Sequence, residues 1–284
     1  MTTPFPCRGL RGFTLVELMV AMAIGLVVLA AMYSAYLASS RTTGVGRALS
    51  QITEDASAAM GVLRSQVNAA AYSAPIGGPA GVGTGFTYNA STSDWVRGCD
   101  ADFADMAQPI GTLSCGTSGS HALAVAYEAN EFNSITKLVA GVKVPMDCLG
   151  NTLTLTGGYY LSYSRFYIHD HALYCLGPGN PSGQALVENV ADMQITYGVA
   201  PAGGHVAASY KTASEVEAAG AWSRVVSVRV CLVVSSVDPV LDAATPYQGC
   251  DPFADPTTPA AGDRHMYRSF TSTFVIQNRR GTAL

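Results

Sequence analysis

The chain has 284 residues and a formal net charge of −4; hydrophobic residues make up 49% of it and charged residues only 13%. Intrinsic disorder is excluded, because disordered chains combine low hydrophobicity with high charge. The acidic balance also argues against a protein that binds nucleic acid by neutralising phosphates.

The first forty residues contain a long apolar segment. Between positions 13 and 38 the chain carries one charged side chain, Glu17. As a helix this segment would span about 39 Å, which is enough to cross a bilayer once. Arg8 and Arg11 precede the segment, so the positive-inside rule predicts a cytoplasmic N-terminus and a periplasmic remainder.

An ordinary secretory signal peptide is the alternative interpretation. It would have a shorter apolar region, followed by a cleavage site with small residues. Here the apolar region is longer and contains an acid near its start, and the small residue Gly12 precedes it. The pattern therefore favours a retained membrane helix.

The residues at this junction resemble the class III signal of type IV pilins and type II secretion pseudopilins. The matching motif is Gly12-Phe13-Thr14-Leu15-Val16-Glu17. The resemblance implies that a prepilin peptidase removes a leader of residues 1–12 by cutting between Gly12 and Phe13, and then methylates the amine of Phe13. It also implies that Glu17 meets the Phe13 amine of a neighbouring subunit and so sets the register of assembly.

Elementary chemistry agrees with a special role for Glu17. A carboxylate within a membrane helix costs roughly 2.5–3.5 kcal/mol on insertion scales, so it needs a partner. Glu17 lies one helical turn from the Phe13 amine that cleavage would create, so the two groups could also pair within one chain. The alternative is a carboxylate that reaches the nearby cytoplasmic interface.

A second, amphipathic half of the helix is predicted over residues 39–73. Its apolar residues recur at spacings of three and four, which places them on one stripe that faces the head: Val45, Leu49, Ile52, Ala56, Met60, Leu63, Val67 and Ala70. The helix is expected to end near Tyr72–Pro75, ahead of a glycine-rich surface loop at 77–85. Three glycines are candidate places for bending: Gly25, Gly44 and Gly46.

Residues 74–284 are predicted to form a β-rich head. Runs rich in β-branched and aromatic residues indicate short strands at Ala122–Tyr127, Lys137–Val144, Thr152–Thr156, Tyr159–His169, Leu186–Tyr197, Val225–Val234 and Ser269–Ile276. Short strands between Gly/Pro loops, after one long helix, indicate an α+β fold with a mainly antiparallel head packed on the helix.

Three of these segments extend the resemblance. The Leu186–Tyr197 run, the strand that begins at Val225 and the closing segment Phe270–Arg279 are similar to the PilW family of minor pilins, and more weakly to the J-type pseudopilin of type II secretion. The pilin-like fold that this implies is a long N-terminal helix packed on a globular head. Residues 77–180 match no motif.

The chain has seven cysteines, of which Cys7 lies in the leader. The other six lie in the part predicted to face the periplasm, where disulfides form. Six cysteines allow 15 connectivities. Sequential pairing is the simplest: Cys99–Cys115, Cys148–Cys175 and Cys231–Cys250.

Other clusters of polar residues are weaker candidates. His169-Asp170-His171 offers two imidazoles on one face of a strand, but no third metal ligand follows at motif spacing. Two groups of aspartates could hold Ca²⁺ but lack EF-hand spacing, so solvated loops are expected: Asp100, Asp102 and Asp105, and Asp238, Asp242, Asp251 and Asp255. No nucleophile motif is present, so neither a catalytic site nor a cofactor is expected.

The resemblance implies a minor pilin that primes type IV pilus assembly and sits in a complex near the pilus tip. The implied partners are prepilin peptidase, other minor pilins, the major pilin, the inner membrane and a tip adhesin, with no nucleic acid. Two alternatives stay open: a J-type pseudopilin of a type II secretion system, and a membrane-anchored module that binds carbohydrate or Ca²⁺.

Overall fold

The computed structural model describes residues 12–76, 87–88, 95–180 and 182–279. Most of the predicted leader and the predicted glycine-rich loop lie outside these residues. The chain divides into two compact units, residues 1–47 and 48–284. One helix, α1 (Leu15–Ala69), begins in the first unit and ends in the second.

Helix α1 is continuous through the three glycines that were named as candidate places for bending. Within the first unit its long apolar side chains are exposed, and this part is long and apolar enough to cross a membrane. Within the second unit a stripe of small and branched residues is buried: Ala48, Ile52, Ala56, Ala59, Leu63, Val67 and Ala70. Five of the eight predicted stripe residues are buried, whereas Val45 and Met60 are only half-buried and Leu49 is exposed. Ala48 and Ala59 are buried in addition.

The helix ends at Ala69, slightly before the predicted end, because other groups take over its last hydrogen bonds. Ala71 adopts a positive φ of 63° and donates its N–H to Ala126 of the sheet, which ends the helical conformation. The side-chain amide of Asn278 then donates to the carbonyls of Asn68, Ala69 and Ala70 at 3.3, 3.2 and 3.0 Å. A residue from the far end of the chain thus caps this helix.

Replacing Asn278 with alanine is expected to lower the free energy of unfolding by about 1 kcal/mol, because three terminal carbonyls lose their donor. Asn278→Asp has the same shape but places a negative charge against the negative end of the helix, so it should destabilise more than alanine does. Thermal unfolding of the full chain in detergent micelles would measure both. Equal melting temperatures for the wild type and both variants would contradict this role.

In the described part of the second unit there are fourteen strands: β1 Pro75–Ile76, β2 Thr87–Tyr88, β3 Val96–Cys99, β4 Ala122–Ala129, β5 Thr136–Val139, β6 Val142–Pro145, β7 Leu155–Thr156, β8 Tyr159–His169, β9 Ala172–Leu176, β10 Gln184–Glu188, β11 Val190–Val199, β12 Ser209–Lys211, β13 Val225–Ser235 and β14 Tyr267–Val275. A short helix, α2 (Ala213–Ala218), follows β12. Among the described strands every pairing is antiparallel. The predicted α+β architecture is therefore confirmed.

The strands form two main sheets. The first has the order β10-β9-β8-β4-β3, with β7 also paired to β8. The second has the order β12-β11-β13-β14. Strand β13 is central in the second sheet, and all of its residues except Arg229 and Ser235 are buried. It is therefore covered on both faces, although its alternation predicted a half-buried strand.

Two predicted strands are each divided in two. The Lys137–Val144 run is a hairpin of β5 and β6, because Ala140 and Gly141 both have positive φ and form a two-residue turn. The Leu186–Tyr197 run breaks at Asn189, whose φ is 63°, so that β10 joins the first sheet and β11 the second. The predicted Thr152–Thr156 strand is reduced to β7 and an isolated bridge from Thr152 to Met146.

Candidate processing and assembly site

The predicted cleavage junction precedes the helix. Gly12 and Phe13 lie outside α1, and Phe13 is 86% exposed. A Cβ atom added at Gly12 would meet no atom within 4 Å. The geometry at Gly12 and Phe13 is therefore that of an accessible peptide rather than of a packed turn.

Thr14 and Glu17 form a capping box at the start of α1. The Thr14 backbone N–H donates to Glu17 Oε2 at 2.9 Å, and the Thr14 hydroxyl donates to the same oxygen at 3.0 Å. In return, the Glu17 backbone N–H donates to Thr14 Oγ1 at 3.2 Å. These reciprocal bonds satisfy two of the N–H groups that a helix N-terminus leaves open.

The capping box was missed in the sequence analysis, although its Thr-x-x-Glu spacing is readable from residues 14–17. The capping box holds the Glu17 carboxylate against Thr14, the residue that follows Phe13. In the uncut chain the Phe13 nitrogen is an amide, and cleavage after Gly12 would convert it into a charged amine. The box thus places a carboxylate one residue from the position where a positive charge would appear.

The exposed part of α1 that follows Glu17 offers a continuous apolar surface. Its large side chains are between 41% and 70% exposed: Leu18, Met19, Val20, Met22, Ile24, Leu26, Val27, Val28, Leu29, Met32, Tyr33, Tyr36 and Leu37. A soluble monomer rarely exposes so large an apolar surface, so it marks contact with lipid or with other protein.

Three disulfides link loops to strands within the head. They join Cys99 to Cys115, Cys148 to Cys175 and Cys231 to Cys250, with Cα separations of 5.4, 6.5 and 5.7 Å. This is the sequential pairing that the sequence analysis expected. In the chain-entropy model each loop of this size contributes roughly 3 kcal/mol.

The loop that Cys250 attaches to β13 is also held by a polar cluster around Asp263. One carboxylate oxygen accepts from the backbone N–H of His265 at 2.9 Å and lies 2.7 Å from its Nδ1. The other accepts from the Tyr267 hydroxyl at 2.7 Å. The His265 backbone N–H, the Tyr267 hydroxyl and the His265 ring lower the pKa of Asp263 to about 2.

Acid is expected to weaken this loop. The carboxyl of Asp263 titrates near 3.9 when unfolded, so its stabilisation is complete above about pH 5 and is lost as the pH falls toward 2. The loss should be at most about 1 kcal/mol, because the side chain lies near the surface. Melting temperatures of the wild type and Asp263→Asn should differ at neutral pH and converge toward pH 2. Parallel curves would contradict the assignment.

The weaker metal candidates have other roles in the structure. His169 ends β8, and Asp170 and His171 form a turn in which both residues have positive φ, so the imidazoles do not share one strand as predicted. The Asp100 carboxylate accepts from the N–H groups of Ala213 and Ser214 at 2.7 and 2.9 Å, at the start of α2. Among the described residues, no three His, Cys, Asp or Glu side chains meet in a metal-binding arrangement.

Two family models match the chain. A model described as Type IV Pilus-assembly protein W matches residues 159–278, which span β8 to β14 and the capping residue Asn278. A model described as a prokaryotic N-terminal methylation motif matches residues 7–33, which include the Gly12–Phe13 junction and the capping box. The first match also reaches into the region that the sequence analysis could not place.

A type IV-like pilin from Thermus thermophilus is similar in structure, with 11% sequence identity and a TM-score of 0.32. The likeness covers 57% of this chain and 81% of that chain. No curated protein matches the chain by sequence.

Proposed function

We propose that this chain is a minor pilin of the PilW family of type IV pili, that it primes pilus assembly and that it remains in a complex near the pilus tip. The observation that carries the proposal is the presence of both matches on one chain, with the methylation motif at the start of α1 and the PilW match over the second half of the head. It is an assembly subunit rather than an enzyme.

Processing would begin at the accessible Gly12–Phe13 junction. Prepilin peptidase cuts this bond and methylates the amine of Phe13. The leader takes Arg8 and Arg11 with it, which leaves 14 basic and 20 acidic side chains and a net charge of −6. The new amine is then next to Thr14, whose N–H already holds the Glu17 carboxylate.

Assembly would use the exposed apolar part of α1. In the inner membrane this surface contacts lipid, with the N-terminus in the cytoplasm and the head in the periplasm. In the fibre it packs on the helices of other minor pilins and the major pilin, and the Glu17 carboxylate meets the Phe13 amine of a neighbour. The head is left to contact specific partners, which include a tip adhesin. Three disulfides suit a head that folds in an oxidising compartment.

Purification of the mature chain from its native host, with mass spectrometry of its N-terminus and partners, tests this function. Recovery of N-methylated Phe13 together with minor pilins would support it. Recovery of N-methylated Phe13 with secretion-system pseudopilins would move the function to a J-type pseudopilin. An uncut N-terminus, or cleavage after the apolar segment, would overturn the pilin assignment, and carbohydrate binding by the chain without pilin partners would favour a binding module.

A further inference from the structure

Among the described residues, no strand pairs with the outer edge of β14 in the second sheet, and this edge is unusually regular. Strand β14 lies at the end of the order β12-β11-β13-β14 and pairs with β13 through nine successive residues without a register shift. The other edge strands of the two main sheets are shorter or interrupted. Strand β12 has three residues, β3 has four, and β10 contains a bulge. Proteins usually shorten, bend or cover such edges, because an exposed regular edge pairs with other chains.

Hydrogen bonds at both ends of β14 show which backbone groups face outward. Ser236 N–H donates to Met266 O at 2.8 Å, and Ile276 N–H donates to Val226 O at 2.9 Å. Hydrogen-bonded pairs alternate along an antiparallel ladder, so the even-numbered residues of β14 bond to β13. The N–H and C=O groups of the odd-numbered residues face away from β13: Tyr267, Ser269, Thr271, Thr273 and Val275.

A groove runs between this edge and the last turns of α1. It has a volume of about 290 Å³ and is lined by Arg64 and Asn68 of α1, by residues 272–275 of β14 and by Gln277. The strand carries neither proline nor an acidic residue, and its outward-facing Thr271 and Thr273 are small and exposed. The edge and the groove together have the form of a site for an extended peptide segment.

From this geometry we infer that an extended segment of a different pilin-like subunit adds to β14 as a further strand and carries an acidic side chain opposite Arg64. This inference rests on the proposed function, which supplies such subunits as neighbours. The charges select the occupant, because the groove and its strand carry Arg64 and Arg268 and no acidic residue.

A second copy of this chain fits the edge poorly, because its own β14 would bring Arg268 and no acidic residue.

Site-specific photo-crosslinking of the full chain in its native host tests the inference. The photoreactive residue p-benzoylphenylalanine replaces Thr271, Thr273 or Val275 in turn, and as a control it replaces Lys137 on β5, which belongs to a separate two-stranded sheet. The three edge positions are expected to crosslink to one pilin-like subunit, at sites that advance by two residues for each step along β14. That alternation is the signature of strand pairing. The Lys137 position should not give this series.

Two pairs of variants separate the contributions of backbone hydrogen bonds and of charge to binding at β14. Thr273→Pro removes an outward N–H that the β13 ladder does not use, and should lower the crosslink yield from position 271 about tenfold. Thr273→Val keeps that N–H and should leave the yield unchanged. Arg64→Glu should also lower the yield, whereas the same charge reversal at Lys137 should not.

Three outcomes would overturn the inference: crosslinks to another copy of this chain, crosslinks to a partner's helix, or no crosslinks from any edge position. The N-terminus of the same sample is analysed by mass spectrometry. Methylated Phe13 without a strand-like series would overturn the strand addition alone, whereas an uncut N-terminus would overturn the proposed function.

Discussion

Replacing Gly98 with alanine is expected to destabilise the head by about 3 kcal/mol, because the new methyl group has no space. A Cβ at this position of β3 would lie 1.7 Å from the Tyr197 hydroxyl oxygen and 3.1 Å from the carbonyl oxygen of Ala122. Tyr197 cannot move away easily, because it is fully buried and packs edge-on against Trp222 with ring centroids 5.0 Å apart. The tyrosine comes from β11 of the second sheet, so the substitution would strain the contact between the two sheets.

The effect should appear as a fall of roughly 6–12 °C in the melting temperature of the full chain in detergent micelles. Gly61→Ala is the matched control, because Gly61 lies in α1 and, apart from its chain neighbours and the adjacent helix backbone, no described atom is within 4 Å of the added methyl group. That control should be neutral or stabilising, since alanine favours a helix over glycine. If Gly98→Ala melted like Gly61→Ala, the close packing of Tyr197 on β3 would be wrong.

Tyr197→Phe provides a second test of the same contact. Among the described residues the Tyr197 hydroxyl has no hydrogen-bond partner, and burial raises the pKa of this phenol. Removing the hydroxyl should therefore cost little by itself. In the Gly98→Ala background Tyr197→Phe should recover part of the lost stability. The hydroxyl oxygen 1.7 Å from the added methyl group is then gone, and the nearest atom of the ring is 2.6 Å away. Additive effects of the two substitutions would show that they do not interact.

The sequence predicted the fold class and most of the strands, because the spacing of apolar residues within a short segment indicates whether it is a helix or a strand. It failed at positions where one residue changes the backbone direction. Asn189 splits an apparently continuous run between two sheets, and Ala140 and Gly141 turn another run into a hairpin. Asparagine and glycine tolerate positive φ, but their identity alone does not show which of them adopts it.

Part of the candidate site could also be predicted, because that part is encoded by a local sequence pattern. The motif at Gly12–Glu17 is contiguous, and so is the capping box within it. The position of β14 at the edge of its sheet depends on sheet order, and the contact of Asn278 with the end of α1 joins residues about 210 positions apart. No local pattern reveals either feature. The absence of proline and acidic residues in β14 was visible in the sequence, but it acquires meaning only once the strand is known to lie at an edge.

Replacing Glu17 with glutamine is expected to reduce incorporation of the chain into pili about tenfold or more, with cleavage after Gly12 retained. Glutamine at this position still accepts the N–H of Thr14, so the capping box can persist without its charge. In the proposed function, the substitution removes the attraction between Glu17 and the methylated amine of a neighbouring Phe13 in a low-dielectric environment, where an ion pair has few competing partners. The ratio of the chain in sheared pili to that in membranes measures incorporation, and mass spectrometry of Phe13 measures processing.

Thr14→Val makes the complementary change and separates the two roles of the carboxylate. It removes the hydroxyl that bonds to Glu17 but keeps the charge and the backbone N–H that donates to it. If charge sets the register, Thr14→Val should enter pili nearly normally and Glu17→Gln should not. The reverse result would mean that Glu17 acts by capping α1, and that another group aligns neighbouring subunits. Both substitutions lie on the C-terminal side of the bond that we propose is cut. A comparable fraction of methylated Phe13 in both variants would therefore show that the difference arises in assembly rather than in processing.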